Sequence, residues 1–237
     1  MSLAVIIPCY NEETTIENVI KDYMIYFDAK DIYIMNNNST DKSVEIAKQY
    51  DVNVLNVYRQ GKGAVLKYAF DKFEVDYLIL TDCDSTYSAQ DSFVLYQYIL
   101  SHDYDMVVGN RLNSGYFNNH QKFNGFGNRL FSNIASKKMK TYIADLMSGS
   151  RVLSKACYKH LNIKHNGFEI ETEITLQTKN ITFLDIDYRA RPENSHSSLN
   201  SITDGFKILR VLLKRSDKKC YLPREKIEEK INITNLP

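Results

Sequence analysis

Tyr77-Leu78-Ile79-Leu80-Thr81-Asp82-Cys83-Asp84-Ser85-Thr86-Tyr87 is the stretch that decides how this chain is read. Its first four residues form an apolar, strand-like run, and Ser85-Thr86-Tyr87 marks where the strand must end. Carboxylates at i and i+2 of an extended segment project from one side, close enough to share a hard divalent cation through oxygen ligands. Such a cation can also hold a diphosphate. A strand that ends in an acidic pair at the carboxyl edge of an α/β sheet lies where open sheets of this kind bind ligands. The same residues also fit a simple turn or helix cap, since Asp is common in both.

Outward from this strand, apolar runs rich in β-branched residues alternate with stretches of helical period, the pattern of βα units and a mostly parallel sheet flanked by helices. Leu3 to Ile7 is the first predicted strand, followed by a helix whose apolar face is Ile16, Val19, Ile20, Tyr23, Met24 and Phe27. Asp31 to Met35 and Val52 to Val57 are the next strands, around a short helix from Lys42 to Gln49 capped by Thr40 or Asp41. Ala64 to Phe73 reads as helix and Asp76 to Leu80 as the fourth strand. Ser88, with Asp91 three residues on, opens the next helix, which runs to Leu100. Met106 to Val108 is a fifth strand, and the Gly- and Asn-rich segment Asn110 to Asn128 reads as one long irregular insertion.

The ends of four successive strands carry the chemically interesting residues: Pro8-Cys9-Tyr10-Asn11-Glu12, Asn36-Asn37-Asn38-Ser39-Thr40-Asp41, Arg59-Gln60-Gly61-Lys62-Gly63, and the acidic pair. All four gather on one sheet edge. Tyr10 offers a ring for stacking a base, and Glu12 and the Asn cluster can hydrogen-bond a base edge or a ribose. Gly61 and Gly63 let backbone approach a ligand closely beside Lys62. The Asn cluster fits an Asx-rich turn equally well, and Lys62 a solvated surface lysine.

Composition narrows the class. The 237 residues carry 30 basic and 29 acidic side chains, a net charge of +1, so the overall balance calls for no polyanionic partner and no nucleic acid. Cys9, Cys83, Cys157 and Cys220 are scattered, without metal-finger or C-x-x-C spacing, which fits a reducing cytoplasm. No apolar run approaches the ~18 residues that a spanning helix needs, so the expected location is cytoplasmic or peripheral at the inner membrane face.

With these residues on the page, the chain resembles the large inverting glycosyltransferase family called family two, with the A-type nucleotide-sugar-binding fold (GT-A). Within it, the likeness is to the dolichyl- and undecaprenyl-phosphate sugar transferases. The likeness runs from about Leu3 to Leu213 through Ile-Ile-Pro-Cys-Tyr-Asn-Glu, Asn-Asn-Asn-Ser-Thr-Asp, Arg-Gln-Gly-Lys-Gly, Thr-Asp-Cys-Asp, Val-Val-Gly-Asn-Arg, Asp-Leu-Met-Ser-Gly-Ser-Arg, Gly-Phe-Glu-Ile-Glu-Thr-Glu and Tyr-Arg-Ala-Arg-Pro-Glu-Asn-Ser. The resemblance implies that Pro8, Tyr10, Asn11 and Glu12 contact base and ribose and that Asn36 and Asn38 line the base site. It also implies that Gly61 and Lys62 flank the nucleotide, and that Asp82 and Asp84 bind Mg²⁺ or Mn²⁺ on the diphosphate. Thr86 stands where some relatives add a third polar ligand. Arg111, and more loosely Arg129, match an arginine facing the acceptor phosphate, and Asp145 a carboxylate near the sugar. Glu173 matches a recurring acid, and Arg191 the arginine of a loop that closes over the diphosphate. Glu169 and Glu171 are read as a solvated helix face.

The implied chemistry is transfer from a UDP- or GDP-sugar, with the cation, Arg191 and Lys62 stabilising the departing diphosphate. A phosphate acceptor is largely a dianion at neutral pH and needs positioning by Arg111 more than a base. A hydroxyl acceptor would need one, and Asp145 would serve; Asp145 also fits a helix cap. Two departures from the family pattern stand out. Asn36-Asn37 replaces a pair of carboxylates, and Ser197-Ser198-Leu199 replaces Ser-Lys-Leu, a loss that His196 or Lys62 could offset.

The expected organisation is a transferase domain over residues 1–200, a basic amphipathic helix over 201–219 and a charged tail over 220–237. From Ile202 to Lys219 there are six basic residues against two acidic ones, and Ile202, Phe206, Leu209 and Leu213 share one helical face. Such a helix suits an anionic membrane surface, where a polyprenyl-phosphate acceptor resides, or packs on the sheet like any other. The alternatives are transfer to a hydroxyl of a soluble or cell-surface glycan, and a nucleotide-sugar-binding module without catalysis.

Overall fold

The computed structural model describes residues 1–115, 122–192 and 201–214. Seven strands form one sheet in the order β3-β2-β1-β4-β6-β5-β7. They are β1 (Leu3–Cys9), β2 (Ile32–Asn36), β3 (Asn53–Asn56), β4 (Tyr77–Leu80), β5 (Met106–Asn110), β6 (Arg151–Ser154) and β7 (Ile181–Asp185). β1 pairs in parallel with β2 and β4, and β2 with β3. β6 runs antiparallel to both neighbours, and β5 and β7 are parallel. The GT-A architecture, an α/β fold with a mostly parallel central sheet flanked by helices, is the one expected.

Topology places the site. The chain steps outward from β1 to β2 and β3, then returns to the other side of β1 as β4, so a crevice opens between the carboxyl ends of β1 and β4. Because β6 alone is reversed, the segment that enters it, residues 144–150, lies at the same edge as the exits of the other strands. Sequence periodicity anticipated neither β6 nor β7, which are short and follow no simple alternation.

Alternation along the strands sorts the core into two layers. Val5, Ile7, Ile32, Ile34, Ile79, Val107 and Val152 face α1 (Ile16–Tyr26) and α4 (Ala89–Ser101), whereas Ala4, Ile6, Met35, Leu78, Leu80, Met106, Val108 and Leu153 face the opposite layer. Both sheet faces are therefore dry, which is why these strands read as continuous apolar runs. α1 buries Ile16, Val19, Ile20 and Tyr23 as its spacing predicts, but Met24 turns outward at 40 % exposure. α2 (Ser43–Ala47) is shorter than expected, with Lys42 at its N-cap; Asp41 instead accepts from the Ser43 amide and hydroxyl. α3 (Lys62–Lys72) starts two residues early, directly at Lys62. At α4 the Ser88 cap holds: its Oγ accepts from the Asp91 amide at 3.1 Å and donates to Asp91 Oδ2 at 2.6 Å.

The irregular insertion expected over 110–128 is a correction. α5 (Lys122–Met139) begins inside it, its Gly and Asn residues being tolerated where tertiary packing decides. α6 (Lys155–Lys159), α7 (Ile170–Gln177) and α8 (Ser201–Leu213) complete the set among the described residues. α8 packs through Ile208, Val211 and Leu212, while Phe206 (69 % exposed) and Leu213 (70 %) point away. Its inner side meets Ala135, Met139 and Phe131 of α5 and Leu176 of α7, and Lys138 donates to the carbonyls of Leu212 and Lys214 at its end. The expected helix over 201–219 is thus described to residue 214; residues 215–237, with the expected tail, lie outside the described residues, as do His196 and Ser197 to Leu199.

Candidate active site

β4 delivers the acidic pair to the edge as expected. Thr15, at the start of α1, donates its hydroxyl to the Cys83 carbonyl at 2.7 Å and to Glu12 Oε2 at 3.0 Å, tying the β1 and β4 exits across the crevice. Asp82 packs against backbone: a Cβ at Gly149 would stand 2.5 Å from Asp82 Oδ2, so any larger residue there would push the carboxylate aside. Asp84 Oδ1 accepts from the Thr86 hydroxyl at 2.5 Å and its amide at 3.1 Å, which makes Thr86 a support for the carboxylate.

Each carboxylate is matched by a cation. Lys62 Nζ lies 2.5 Å from Asp82 Oδ1 and 2.6 Å from Glu171 Oε1 on α7. Arg191 Nη2 donates to Asp84 Oδ2 at 2.6 Å and lies 3.6 Å from Glu12 Oε1. The segment after β7 reaches the pair because the Arg189 amide donates to the Thr86 carbonyl at 3.0 Å. Burial disfavours the charge on Lys62 and on Arg191, but their carboxylate partners outweigh it and raise both pKa values. Glu12 is different: burial dominates over Arg191 and Thr15 and pushes its pKa up to about 7.

Glu171 corrects the sequence reading. The sequence pattern places it with Glu169 on a solvated helix face, yet Glu171 and Glu169 are 4 % and 7 % exposed. α7 buries nearly all its residues, so its acids had to find partners or stay neutral. The signal that could have found Glu171 is the Lys62 motif itself, a cation entering a buried helix N-terminus. Glu173 accepts from the amides of Lys164 and His165 and from the His165 ring, which fixes the loop before α7.

That loop explains both glycines of the Lys62 motif. Gly61 adopts φ +116°, and a Cβ on it would meet the Asn166 carbonyl at 2.2 Å; one on Gly63 would meet the His165 carbonyl at 2.6 Å. The expected close approach of backbone to a ligand is therefore, in part, a close approach to this loop. Asn37 is buried and accepts from the Gly61 amide at 2.7 Å while donating to the Val57 and Arg59 carbonyls. Asn38 donates to the Tyr58 carbonyl and Gln60 Oε1, and Asn36 donates to Asn56 Oδ1 at 2.8 Å. Asn11 accepts from the Thr40 amide at 2.8 Å. The Asn cluster is thus a lattice that shapes the loops at the ends of β1, β2 and β3, and Tyr10, 41 % exposed, presents a ring at this edge.

On the other side of the pair, Arg111 and Asp145 form a buried bidentate ion pair: Nε to Oδ2 at 2.8 Å and Nη2 to Oδ1 at 2.9 Å. Asp145 also accepts from the Arg111 amide at 3.0 Å and Asn128 Nδ2 at 2.6 Å, and it is 0 % exposed. Burial opposes its ionisation, but Arg111 wins and holds the carboxyl below its ordinary value. The Arg111 guanidinium also lies over the Tyr188 ring at 5.4 Å. Arg129 donates to the Leu112 carbonyl at 2.8 Å. Arg151, 1 % exposed, donates to the carbonyls of Leu146 and Ser148 and so holds the segment that carries Asp145 and Gly149, a role that no local motif signals.

Among the described residues no group of three or more His, Cys, Asp or Glu side chains forms a metal cage. The acidic pair nonetheless fits Mg²⁺ or Mn²⁺, which take one or two carboxylates and fill their remaining positions with water and phosphate oxygens.

A seven-stranded α/β sheet whose carboxyl edge gathers an acidic pair, Lys62, Arg191 and the glycine loop after β3 has the architecture of the GT-A nucleotide-sugar transferases. The family model described as glycosyl transferase family 2 matches residues 4–161, and the chain belongs to that family. The protein RfbJ of Shigella flexneri is 36 % identical over 121 residues, 51 % of this chain and 94 % of that protein. The glycosyltransferase AglJ of Haloferax volcanii is 28 % identical over 91 % of this chain and 72 % of its own length. A dolichyl-phosphate hexose transferase of the same organism is 28 % identical over 80 % of this chain and 83 % of its own. Among solved structures, glucosyl-3-phosphoglycerate synthase from Mycobacterium tuberculosis with Mn²⁺, UDP-glucose and phosphoglyceric acid superposes with a TM-score of 0.72. That likeness, at 18 % identity over 94 % of this chain and 81 % of the other, is one of fold. The protein is a glycosyltransferase. No helix among the described residues is long and apolar enough to cross a membrane.

Proposed function

We propose that the protein moves a sugar, with inversion, from a UDP- or GDP-sugar to a polyprenyl phosphate, with Mg²⁺ or Mn²⁺ at Asp82 and Asp84. When bound, the ion supplies Lewis-acid stabilisation of the leaving diphosphate. Tyr10 stacks the base, and the lattice of Asn11, Asn36 and Asn38 shapes the pocket around it. Arg191, already at the pair, and Lys62 supply positive charge where the diphosphate oxygen becomes anionic. Arg111, oriented by Asp145 and Tyr188, faces the acceptor phosphate, and Arg129 stands behind it.

The observation that carries the acceptor class is the state of Asp145. All of its oxygens are engaged and none is exposed, so it positions Arg111 and is a poor base. A phosphate acceptor, already a dianion, needs no base at that position, whereas a hydroxyl acceptor does. Supporting this reading, α8 turns Phe206 and Leu213 outward beside Lys207, Arg210 and Lys214, which suits a peripheral seat at the inner membrane face. The relative whose name states a dolichyl-phosphate acceptor points the same way.

The test is transfer of label from UDP- and GDP-sugars in the presence of polyprenyl phosphate and Mn²⁺, followed by butanol partition. Label in butanol, abolished by Asp82→Ala or Asp84→Ala, is the expected result. Label that stays in water with an added glycan would assign a hydroxyl acceptor, and nucleotide binding without turnover on either acceptor would mark a binding module.

A further inference from the structure

Both carboxylates of the metal pair are already neutralised by cations from the chain, and each cation is shared with a second carboxylate: Lys62 closely with Glu171, Arg191 more loosely with Glu12. Lys62 sits between Asp82 and Glu171, 2.5 and 2.6 Å away, with its side chain only 12 % exposed. An ammonium this close to Asp82 Oδ1 occupies the volume, and supplies the charge, that a divalent cation on that carboxylate would take. Its stem starts at the first residue of α3, and Gly61, locked by the Asn37 side chain and the Asn166 carbonyl, fixes where that stem begins. Glu171 belongs to a different element, α7, and has no place in the acidic pair.

We infer that Lys62 holds the metal's place at Asp82 in the empty enzyme, and that Glu171 is a positioning residue that retains the lysine at the site when the ion displaces it. This rests on the assignment of Asp82 and Asp84 to the metal. Without Glu171, a displaced lysine on a flexible four-carbon stem would swing to solvent; with it, the ammonium moves a short way and remains beside the diphosphate that arrives with the ion. The arrangement has a further consequence for the order of binding. Metal alone must displace Lys62 from Asp82 and Arg191 from Asp84, whereas metal with nucleotide also gives the freed cations a new anionic partner. The empty enzyme therefore resists free Mn²⁺ and accepts it readily with the nucleotide diphosphate.

Charge-neutral substitution separates place-holding from bulk electrostatics. Lys62→Met with Glu171→Gln removes one positive and one negative charge, so the net charge around Asp82 is unchanged, while Asp82, 28 % exposed, is left open to the ion. Mn²⁺ binding is measured on the full chain without nucleotide, by calorimetry and by the electron paramagnetic resonance signal of free Mn²⁺. The double variant is expected to bind Mn²⁺ on the order of tenfold more tightly than wild type. It is also expected to lose the gain in Mn²⁺ affinity that UDP confers on wild type through Lys62. Glu171→Gln alone, which keeps the lysine on Asp82, is expected to bind free Mn²⁺ no better than wild type. Equal or weaker Mn²⁺ binding by the double variant, with Asp82→Asn still abolishing binding in the presence of UDP, would overturn the inference and leave the metal assignment standing. Mn²⁺ binding with UDP that is indifferent to both Asp82→Asn and Asp84→Asn would overturn the assignment itself, and the inference with it.

Discussion

Asp145→Asn is the most demanding perturbation of the site. The wild-type carboxylate accepts four hydrogen bonds, three from Arg111 and one from Asn128, at 2.6 to 3.0 Å and with no exposure to water. An asparagine there keeps the shape but turns an amide N–H₂ toward the guanidinium and leaves Arg111, 11 % exposed, as a buried cation without its anion. Breaking a buried pair from one side costs about 3–5 kcal/mol. Arg111→Met strands the opposite charge and is expected to cost a similar amount. The two together leave no buried ion, so the double variant should fall short of the summed losses by about 2–3 kcal/mol. Urea unfolding followed by circular dichroism at pH 7, where Asp145 is ionised, measures all three. Since domains of this size have total stabilities of about 5–15 kcal/mol, each single variant should show a much lower urea midpoint. A cost for Asp145→Asn below about 1 kcal/mol, or additive losses, would refute the view that Asp145 is spent on holding Arg111.

Gly61→Ala places a side chain at φ +116° and 2.2 Å from the Asn166 carbonyl, so it should cost about 2 kcal/mol or more in urea unfolding and weaken nucleotide binding as Lys62 shifts. Gly149→Ala drives a methyl toward Asp82 Oδ2, which can give way; metal-dependent UDP affinity should fall while the melting temperature changes by only a few degrees. Glu12, with its pKa raised by burial from 4.5 to about 7, binds a proton more tightly folded than unfolded. Stability of the metal-free protein should therefore be greatest below about pH 4.5 as far as this group is concerned and decline between pH 4.5 and 7, and Glu12→Gln should flatten that slope in a melting-temperature series.

The sheet was legible where strands are continuous apolar runs closed by turn residues, as at Leu3–Cys9, Ile32–Asn36 and Tyr77–Leu80, because a strand buried on both faces leaves little choice of residue. Ser88 announced its helix through a cap that depends only on local geometry. Lys122–Met139 was not legible: a helix rich in Gly, Asn and Ser is stabilised by what α8 packs onto it, and tertiary packing overrides local propensity. The acidic pair, Arg191 and the glycine loop could be read because each has a short motif whose chemistry is local. The partners of these residues could not. Glu171 to Lys62, Asp145 to Arg111 and Arg191 to Asp84 join residues 34 to 109 positions apart, and only the reversed β6 and the return of the chain after β7 bring them together. Asn37 illustrates the same limit from the other side: the Asn cluster reads equally as base contact or as turn, and only the fold shows this amide bracing Gly61.

Titration calorimetry of UDP against the wild-type chain, with Mn²⁺ and then with EDTA, and against Asp84→Asn under both conditions, tests the role of the acidic pair most directly. Mn²⁺ should lower the Kd of UDP by about tenfold or more in wild type, and the effect should vanish in Asp84→Asn. A UDP Kd that is the same with Mn²⁺ and with EDTA, or a full Mn²⁺ effect surviving in Asp84→Asn, would contradict the assignment of Asp82 and Asp84 as the carboxylates through which a metal holds the nucleotide.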